Sequence, residues 1–307
     1  MSDSDLRKVL EQGVVNIYPA KEKLAEALKK DASKLTFYLG VDPTAPFIHL
    51  GHAIPLRKLE QLRRVGAKVI LLIGNFTATI GDPTDKAATR KVLSSEEVEA
   101  NAKSYLSLIS PVLDLDNAEN PVTVKYNNDW WGSMDLKTFL GLAQKVTVQQ
   151  LLERDMFQVR QKEGKPIYLH EFIYPLLQGY DGVEMKVDGE VGGNDQTFNM
   201  LMGRDLSAEF LDKDKFVISV NLLADPSGKK MGKSEGNAVA LDAKAPDMFG
   251  KIMSWPDAVI ESAFELLTDI EADQAKEIVS NLGPRDAKVK LAKEIMKPFH
   301  TEEDIAG

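Results

Sequence analysis

The sequence predicts an α/β protein, a doubly wound parallel sheet followed by a helical domain. Three observations carry that expectation. Two apolar runs, LTFYLG (35–40) and AKVILLIG (67–74), have the length and continuity of strands buried on both faces. Between them lie a turn, VDPTAPF, and an amphipathic stretch, HLGHAIPLRKLEQLRRV (49–65), which completes a strand–helix–strand unit. After the segment ADPSGKKMGKSEGN the alternation stops, and 246–295 show helical spacing with no convincing strand. A boundary is therefore expected near Ala243, with a Rossmann-like domain over 1–243 and a helical domain over 244–307. In such a sheet a ligand sits at the carboxyl ends of the strands.

The elements follow in order. Leu6, Val9, Leu10, Leu24 and Leu28 repeat at helical spacing and predict two short helices on either side of Val14–Pro19. The strand over 35–40 ends at Gly40. The next helix should begin at about Gly51, because Pro55 lacks an amide and is tolerated only near a helix N-terminus, where it also favours a kink. Gly66 ends that helix. SSEEVEANAKSYLSLI (94–109) is a helix capped by Ser94 or Ser95, with glutamates in its first turn. PVTVKYNN (121–128) reads as a strand leading to a loop, NNDWWGSMD, and 135–163 and 168–180 read as helical. GEVGG (189–193) is a strand entering a glycine turn, NDQTFNMLMGRDL a helix, and KFVISVNLL (215–223) a strand.

Composition bounds the function. The 307 residues are 43% hydrophobic and 28% charged, an ordinary globular mix with room for a substantial core. There are no cysteines, which excludes disulfides, thiolate metal sites and cysteine nucleophiles. No apolar run has the length of a membrane span, and the acidic start MSDSDLRKVLEQ is neither a secretory signal nor a transit peptide, so a cytoplasmic location is expected. Net charge is −9, so any contact with nucleic acid has to use a local basic patch.

Two short stretches carry chemistry. His49 and His52 in HLGH stand three residues apart at the front of a helix. Imidazoles at that spacing can face a metal ion, but no Glu follows the first histidine and no cysteine is available. The alternative is a phosphate cradle, in which a helix N-terminus offers free amides and a positive dipole while imidazole donors reach phosphate oxygens. The plain alternative is a pair of capping or surface histidines. In KKMGKS (229–234), Lys230 and Lys233 can present ammonium groups to a polyphosphate and Ser234 a hydroxyl. The spacing is not that of a P-loop, and a solvated lysine-rich turn is the plain alternative.

Together, HLGH early and KMGKS late resemble the HIGH and KMSKS signatures of class I aminoacyl-tRNA synthetases. FYLGVDPTAPFIHLGH, LLIGNFTATIGDPTDKAATR, YPLLQGYD and VGGNDQTFN resemble, more diagnostically, the bacterial-type tyrosyl-tRNA synthetases, from about residue 10 to the C-terminus. That resemblance implies tyrosine activation by ATP, with Mg²⁺ bound to the nucleotide, and transfer of tyrosine to tRNA(Tyr). It implies that Tyr38 and Asp181 clasp the phenol hydroxyl, and that Asp82, Tyr174 and Gln178 hold the ammonium. Asp42 and Thr77 fall near the amino acid and adenylate, and Thr44, His49 and His52 at phosphate-contacting positions. Gly192, Asp195 and Gln196 match a turn that meets the ribose and the reacting carboxylate. Gly40, Gly51 and Met231 match ATP-side positions, and Lys86 and Arg90 a loop that reaches the leaving pyrophosphate. No metal-ligand set is implied.

The chain departs from the family pattern at Gly232, Leu50 and Thr197-Phe198, the last of which affects entry into the following helix. Family members usually continue into a small basic RNA-binding domain, so a truncated form that activates tyrosine but charges tRNA weakly is expected. The resemblance also implies a homodimer formed through about 125–170. Two rival readings remain: a non-catalytic RNA-binding relative, and a small-molecule nucleotidyltransferase with the HxGH fold. Tryptophanyl-tRNA synthetase is the nearest related alternative.

Overall fold

The computed structural model describes residues 2–83, 93–225 and 238–306. Its centre is a six-stranded sheet of β1 (Val14–Tyr18), β2 (Thr36–Val41), β3 (Lys68–Ile73), β4 (Thr123–Tyr126), β5 (Gly189–Gly193) and β6 (Phe216–Val220), in the order β1-β6-β5-β2-β3-β4. From β2 the chain winds outward through β3 and β4, then returns to the other side of β2 for β5 and β6. Strand order therefore reverses between β2 and β5, and the loops leaving their carboxyl ends diverge and open a crevice there. Five strands are parallel, as expected for apolar runs covered on both faces.

The sixth strand corrects the sequence reading. Val14–Tyr18 is not a mere connection between two helices but an edge strand, antiparallel to β6. It is five residues long, only partly buried and bulged near Asn16. A segment that short and half covered has no clear period of its own, and its partner lies about two hundred residues away.

Helices α1 (Asp3–Glu11), α2 (Lys21–Asp31), α3 (Leu50–Arg64) and α5 (Ser95–Ile109) accompany the first half of the sheet, with a single turn, α4 (Thr77–Ile80), after β3. Ser94 caps α5, accepting the Glu97 amide at 3.2 Å, while Glu97 reaches back to the Ser94 amide. The stretch read as helical over 135–163 consists of three helices, α7 (Leu136–Ala143), α8 (Val148–Leu152) and α9 (Asp155–Lys162), and the loop before it contains a short helix, α6 (Asn128–Trp131). Side-chain caps explain two of the starts: Asp135 accepts from the Thr138 amide at 2.8 Å and Thr147 from the Gln150 amide at 3.2 Å. The long helices α10 (Leu169–Glu184) and α11 (Thr197–Leu211) cross closely beside β5. Thr197 opens α11 with its hydroxyl on the Asn194 carbonyl, 2.7 Å away, so the departure at Thr197-Phe198 does not disturb the helix entry.

Beyond Val220 every described element is helical: α12 (Ala245–Met253), α13 (Ile260–Leu267), α14 (Ala272–Met296), kinked at Gly283-Pro284, and α15 (Glu302–Ala306). Their apolar faces join α1, α3 and the sheet in one continuous core, from Leu6 and Val9 through Leu56 and Leu59 to Phe264 and Leu291. Among the described residues no helix is long and apolar enough to cross a membrane.

Packing around β5 is tight. A Cβ on Gly189 would lie 2.3 Å from the fully buried Phe37 ring. Gly189→Ala is expected to destabilise the fold by about 1–3 kcal/mol, read as a lower urea midpoint at unchanged slope.

Candidate active site

The crevice between β2 and β5 is a cavity of about 340 Å³. Every sequence-predicted site residue that is described lines it: Tyr38, Gly40, Asp42, Thr44, His49, Gly51, His52, Thr77, Asp82, Tyr174, Gln178, Asp181, Gly192, Asp195 and Gln196. Lys86, Arg90, Lys230, Met231, Lys233 and Ser234 lie outside the described residues.

At one end sits Asp181, on α10 and 3% exposed. Its Oδ1 accepts from the indole N–H groups of Trp130 (2.8 Å) and Trp131 (2.7 Å), and its Oδ2 from Asn127 Nδ2 (3.2 Å). Burial raises its pKa to about 7, and nearby Asp42 pushes the same way; the three donors pull against them. Tyr38, on β2, is buried beside it, and its hydroxyl donates to the Gln178 carbonyl at 3.3 Å. Burial lifts the Tyr38 pKa well above its ordinary range, helped by Glu190 and Asp181, so the phenol stays protonated.

Two polar relays radiate from this end. In the first, Asn127, fully buried after β4, also donates to Thr77 Oγ1 at 2.9 Å. Thr77 donates to Asp42 Oδ1 at 2.7 Å, and the Tyr174 hydroxyl donates to Asp42 Oδ2 at 2.9 Å. Burial, then Asp42 and Asp82, drive the Tyr174 pKa well above its usual value. In the second relay, Gln178 Nε2 donates to Glu190 Oε1 at 2.9 Å, and Asn199 Nδ2 donates at 2.9 Å to both Gln178 Oε1 and Gln196 Oε1. Gln196 Nε2 closes the row on Asp82 Oδ2 at 2.5 Å. The arrangement gathers carboxylates and amide oxygens, which suits an ammonium group.

The other end is the start of α3. His49 Nδ1 accepts from the Gly51 amide at 3.1 Å, and His52 Nδ1 from the His49 amide at 3.3 Å, with ring centroids 4.0 Å apart. The Leu50 amide donates to the Val239 carbonyl at 2.9 Å. This corrects the expectation of free amides: the first amides of the helix are already satisfied, and the histidines cap it. With Nδ1 accepting, the neutral rings carry their proton on Nε2, the tautomer that donates to a phosphate. The segment after KKMGKS returns to this helix start: Leu241 donates to the Ile48 carbonyl at 2.8 Å, and His49 pairs antiparallel with Ala240. Among the described residues no group of three His, Asp or Glu side chains could hold a metal ion.

Sequence reasoning missed Asn127, Trp130, Trp131, Glu190 and Asn199. One signal was available for the first three: NNDWW follows a strand directly, and a strand's carboxyl end in this sheet faces the ligand side.

Fold and site define a class I aminoacyl-tRNA synthetase. The chain belongs to the class I tRNA synthetases of the W and Y kind, whose family model matches residues 29–305, and within them to the tyrosine–tRNA ligases. The tyrosine–tRNA ligase of Carboxydothermus hydrogenoformans is 45% identical over 96% of this chain and 73% of its own length. That of Aquifex aeolicus is 42% identical over 99% of this chain and 76% of its own. A C-terminally truncated mitochondrial tyrosyl-tRNA synthetase from Coccidioides posadasii superposes with a TM-score of 0.79 at 26% identity, over 99% of this chain and 90% of that one. The Archaeoglobus fulgidus tyrosyl-tRNA synthetase complexed with L-tyrosine shares the fold, with a TM-score of 0.77 at 22% identity over 98% of each chain.

The raised pKa of Asp181 has a consequence for stability. The folded protein takes up a proton there between the ordinary carboxylate range and about pH 7. Its contribution to stability is therefore full at low pH and lost as pH rises through about 7. The stability difference between the ligand-free parent and Asp181→Asn is expected to move in the variant's favour from pH 5 to pH 8, measured by urea melts. A difference that stays flat contradicts the assignment.

Proposed function

We propose that this chain activates L-tyrosine with ATP, giving tyrosyl-adenylate and pyrophosphate, and then passes tyrosine to the terminal ribose of tRNA(Tyr). The observation that carries the tyrosine assignment is the buried carboxylate of Asp181 beside the Tyr38 phenol, in a cavity that Asp82, Tyr174, Gln178 and Gln196 also line. A polar group buried there stays unmatched when phenylalanine enters, which rejects the wrong side chain far better than shape does.

In this reading the tyrosine hydroxyl donates to Asp181 and meets Tyr38, while its ammonium lies among Asp82, Tyr174, Gln178 and Gln196. Thr77 and Asp42 brace the amino acid and the adenylate. The tyrosine carboxylate attacks the α-phosphate, so no residue serves as a covalent nucleophile. Positioning and charge stabilisation carry the step. Thr44 and the Nε2–H groups of His49 and His52 face the phosphates, and Gly40, Gly51, Gly192 and Asp195 leave room for the nucleotide or meet its ribose. Lys86, Arg90, Lys230, Lys233 and Ser234 supply positive charge and donors to the leaving pyrophosphate, with Met231 against the adenine side. The pairing of 239–241 with Ile48–Leu50 supports this, because it brings the residues that follow the lysine segment in the chain to the histidine helix. Mg²⁺ bound with ATP would neutralise charge on the leaving pyrophosphate.

We also infer a homodimer and a cytoplasmic location. Leu136, Leu140, Val148, Val159, Tyr168 and Leu169 are large apolar side chains exposed on one stretch of chain, inside the segment expected to form the subunit contact.

The test is ATP–pyrophosphate exchange. Exchange should depend on tyrosine and fail with phenylalanine or tryptophan; equal exchange with tryptophan would overturn the tyrosine assignment. Lys233→Ala should slow adenylate formation about 100-fold or more with tyrosine affinity nearly unchanged.

A further inference from the structure

Behind the row of amides lies a buried ion pair that the mechanism does not use. Lys215, just before β6, is 0% exposed, and its Nζ stands 2.5 Å from Oε2 of Glu190, itself 2% exposed. Burying two charges is costly, and an apolar pair of similar volume often serves stability as well or better. Yet the surrounding helices make room for this one. A Cβ on Gly203 of α11 would lie 2.6 Å from Lys215 Nζ, and one on Gly182 of α10 would lie 2.9 Å from it.

We propose that Lys215 and Glu190 fix the polarity of the amide row, so that Gln178 and Gln196 offer oxygens to the substrate ammonium; Lys215 is a positioning residue. This rests on the reading that the tyrosine ammonium lies beside Gln178. A carboxamide has two ends of similar shape and opposite polarity, and only its partners decide which way it points. A carboxylate only accepts. Glu190 therefore takes Nε2 of Gln178 and turns Oε1 toward Asn199. Asn199 spends both N–H groups on the oxygens of Gln178 and Gln196, leaving Gln196 to donate to Asp82. Asn199 Oδ1 is buried with no hydrogen-bond partner in the described structure. That orphan acceptor is the mark of the constraint: both neighbours present oxygen, so Asn199 has to turn its amino group to them.

The titratable groups around the pair are Tyr38, on β2, whose ring centroid lies 5.3 Å from Lys215 Nζ, and Asp181, on α10, which with Glu190 acts on the Tyr38 hydroxyl. Asp82 and Asp42 lie further along the cavity. Without Lys215, the buried Glu190 loses the cation that holds it as a pure acceptor, and its grip on Gln178 Nε2 is no longer fixed. Gln178 is then free to turn its amino group to the cavity, where it repels the ammonium.

The experiment is tyrosine-dependent ATP–pyrophosphate exchange at pH 7 on the parent, Lys215→Met, and Lys215→Met combined with Glu190→Gln. In Lys215→Met the KM for tyrosine should rise about tenfold or more at pH 7, with KM for ATP unchanged. The double variant leaves no unpaired charge at this pair, which removes the main reason for the single variant to misfold. It should show a smaller rise in tyrosine KM than Lys215→Met. A parent-like tyrosine KM in both variants, or equal losses for tyrosine and ATP, overturns the inference. Absence of tyrosine-dependent exchange in the parent strikes the proposed function instead.

Discussion

A carboxylate held away from water has to be met by donors, and this cavity holds several. Asp181 and Glu190 are almost wholly buried, and Asp42 and Asp82 are partly so. Much of the local architecture answers that demand. The loop after β4 delivers Asn127, Trp130 and Trp131 to Asp181, and the turn after β3 delivers Thr77 to Asp42. Helix α10 carries Tyr174 to Asp42 and Gln178 to Glu190, and the entry to α11 carries Gln196 to Asp82. Strand order makes this convergence possible, because the loops that leave the sheet at the reversal between β2 and β5 open toward a common space.

The two ends of the cavity use opposite chemistry. The closed end concentrates negative charge and oxygen acceptors, which hold a cation and a phenol proton and repel phosphate. The histidine end has spent its first helix amides on internal caps and keeps a helix dipole and imidazole donors. An amino acid and a nucleotide can thus be bound side by side with little competition for one another's places. Capping also settles the meaning of the closely spaced histidines: each ring fixes the backbone through Nδ1, and so fixes the tautomer it shows to a ligand. Capping and phosphate contact are compatible roles of the same rings.

Much of the fold was legible because its strands are continuous apolar runs. LTFYLG and AKVILLIG leave little alternative to buried parallel strands, and Ser94 with Glu97 announces its own helix. The edge strand at Val14–Tyr18 was not legible, since half of its identity as a strand is a partner near residue 218. The breaks within 135–163 were missed although the capping residues Asp135 and Thr147 stand in the sequence, because helical propensity continues across them. At the site, Tyr38, Asp181 and Gln178 came from the resemblance. The tryptophans that hold Asp181 were passed over as a loop, since an indole looks apolar until a carboxylate is found beside its N–H.

By itself the sequence determined the class of fold, the succession of its five parallel strands along the chain, and two short stretches, HLGH and KKMGKS, whose side chains can meet a triphosphate. Those follow from local patterning and short spacings, which need no knowledge of distant partners. Tertiary structure alone decided which acid was buried, which way each carboxamide pointed, and that Lys215 stood behind Gln178. Burial, hydrogen-bond polarity and ion pairing belong to pairs of residues far apart in the chain, and they acquire a value only when folding brings those residues together.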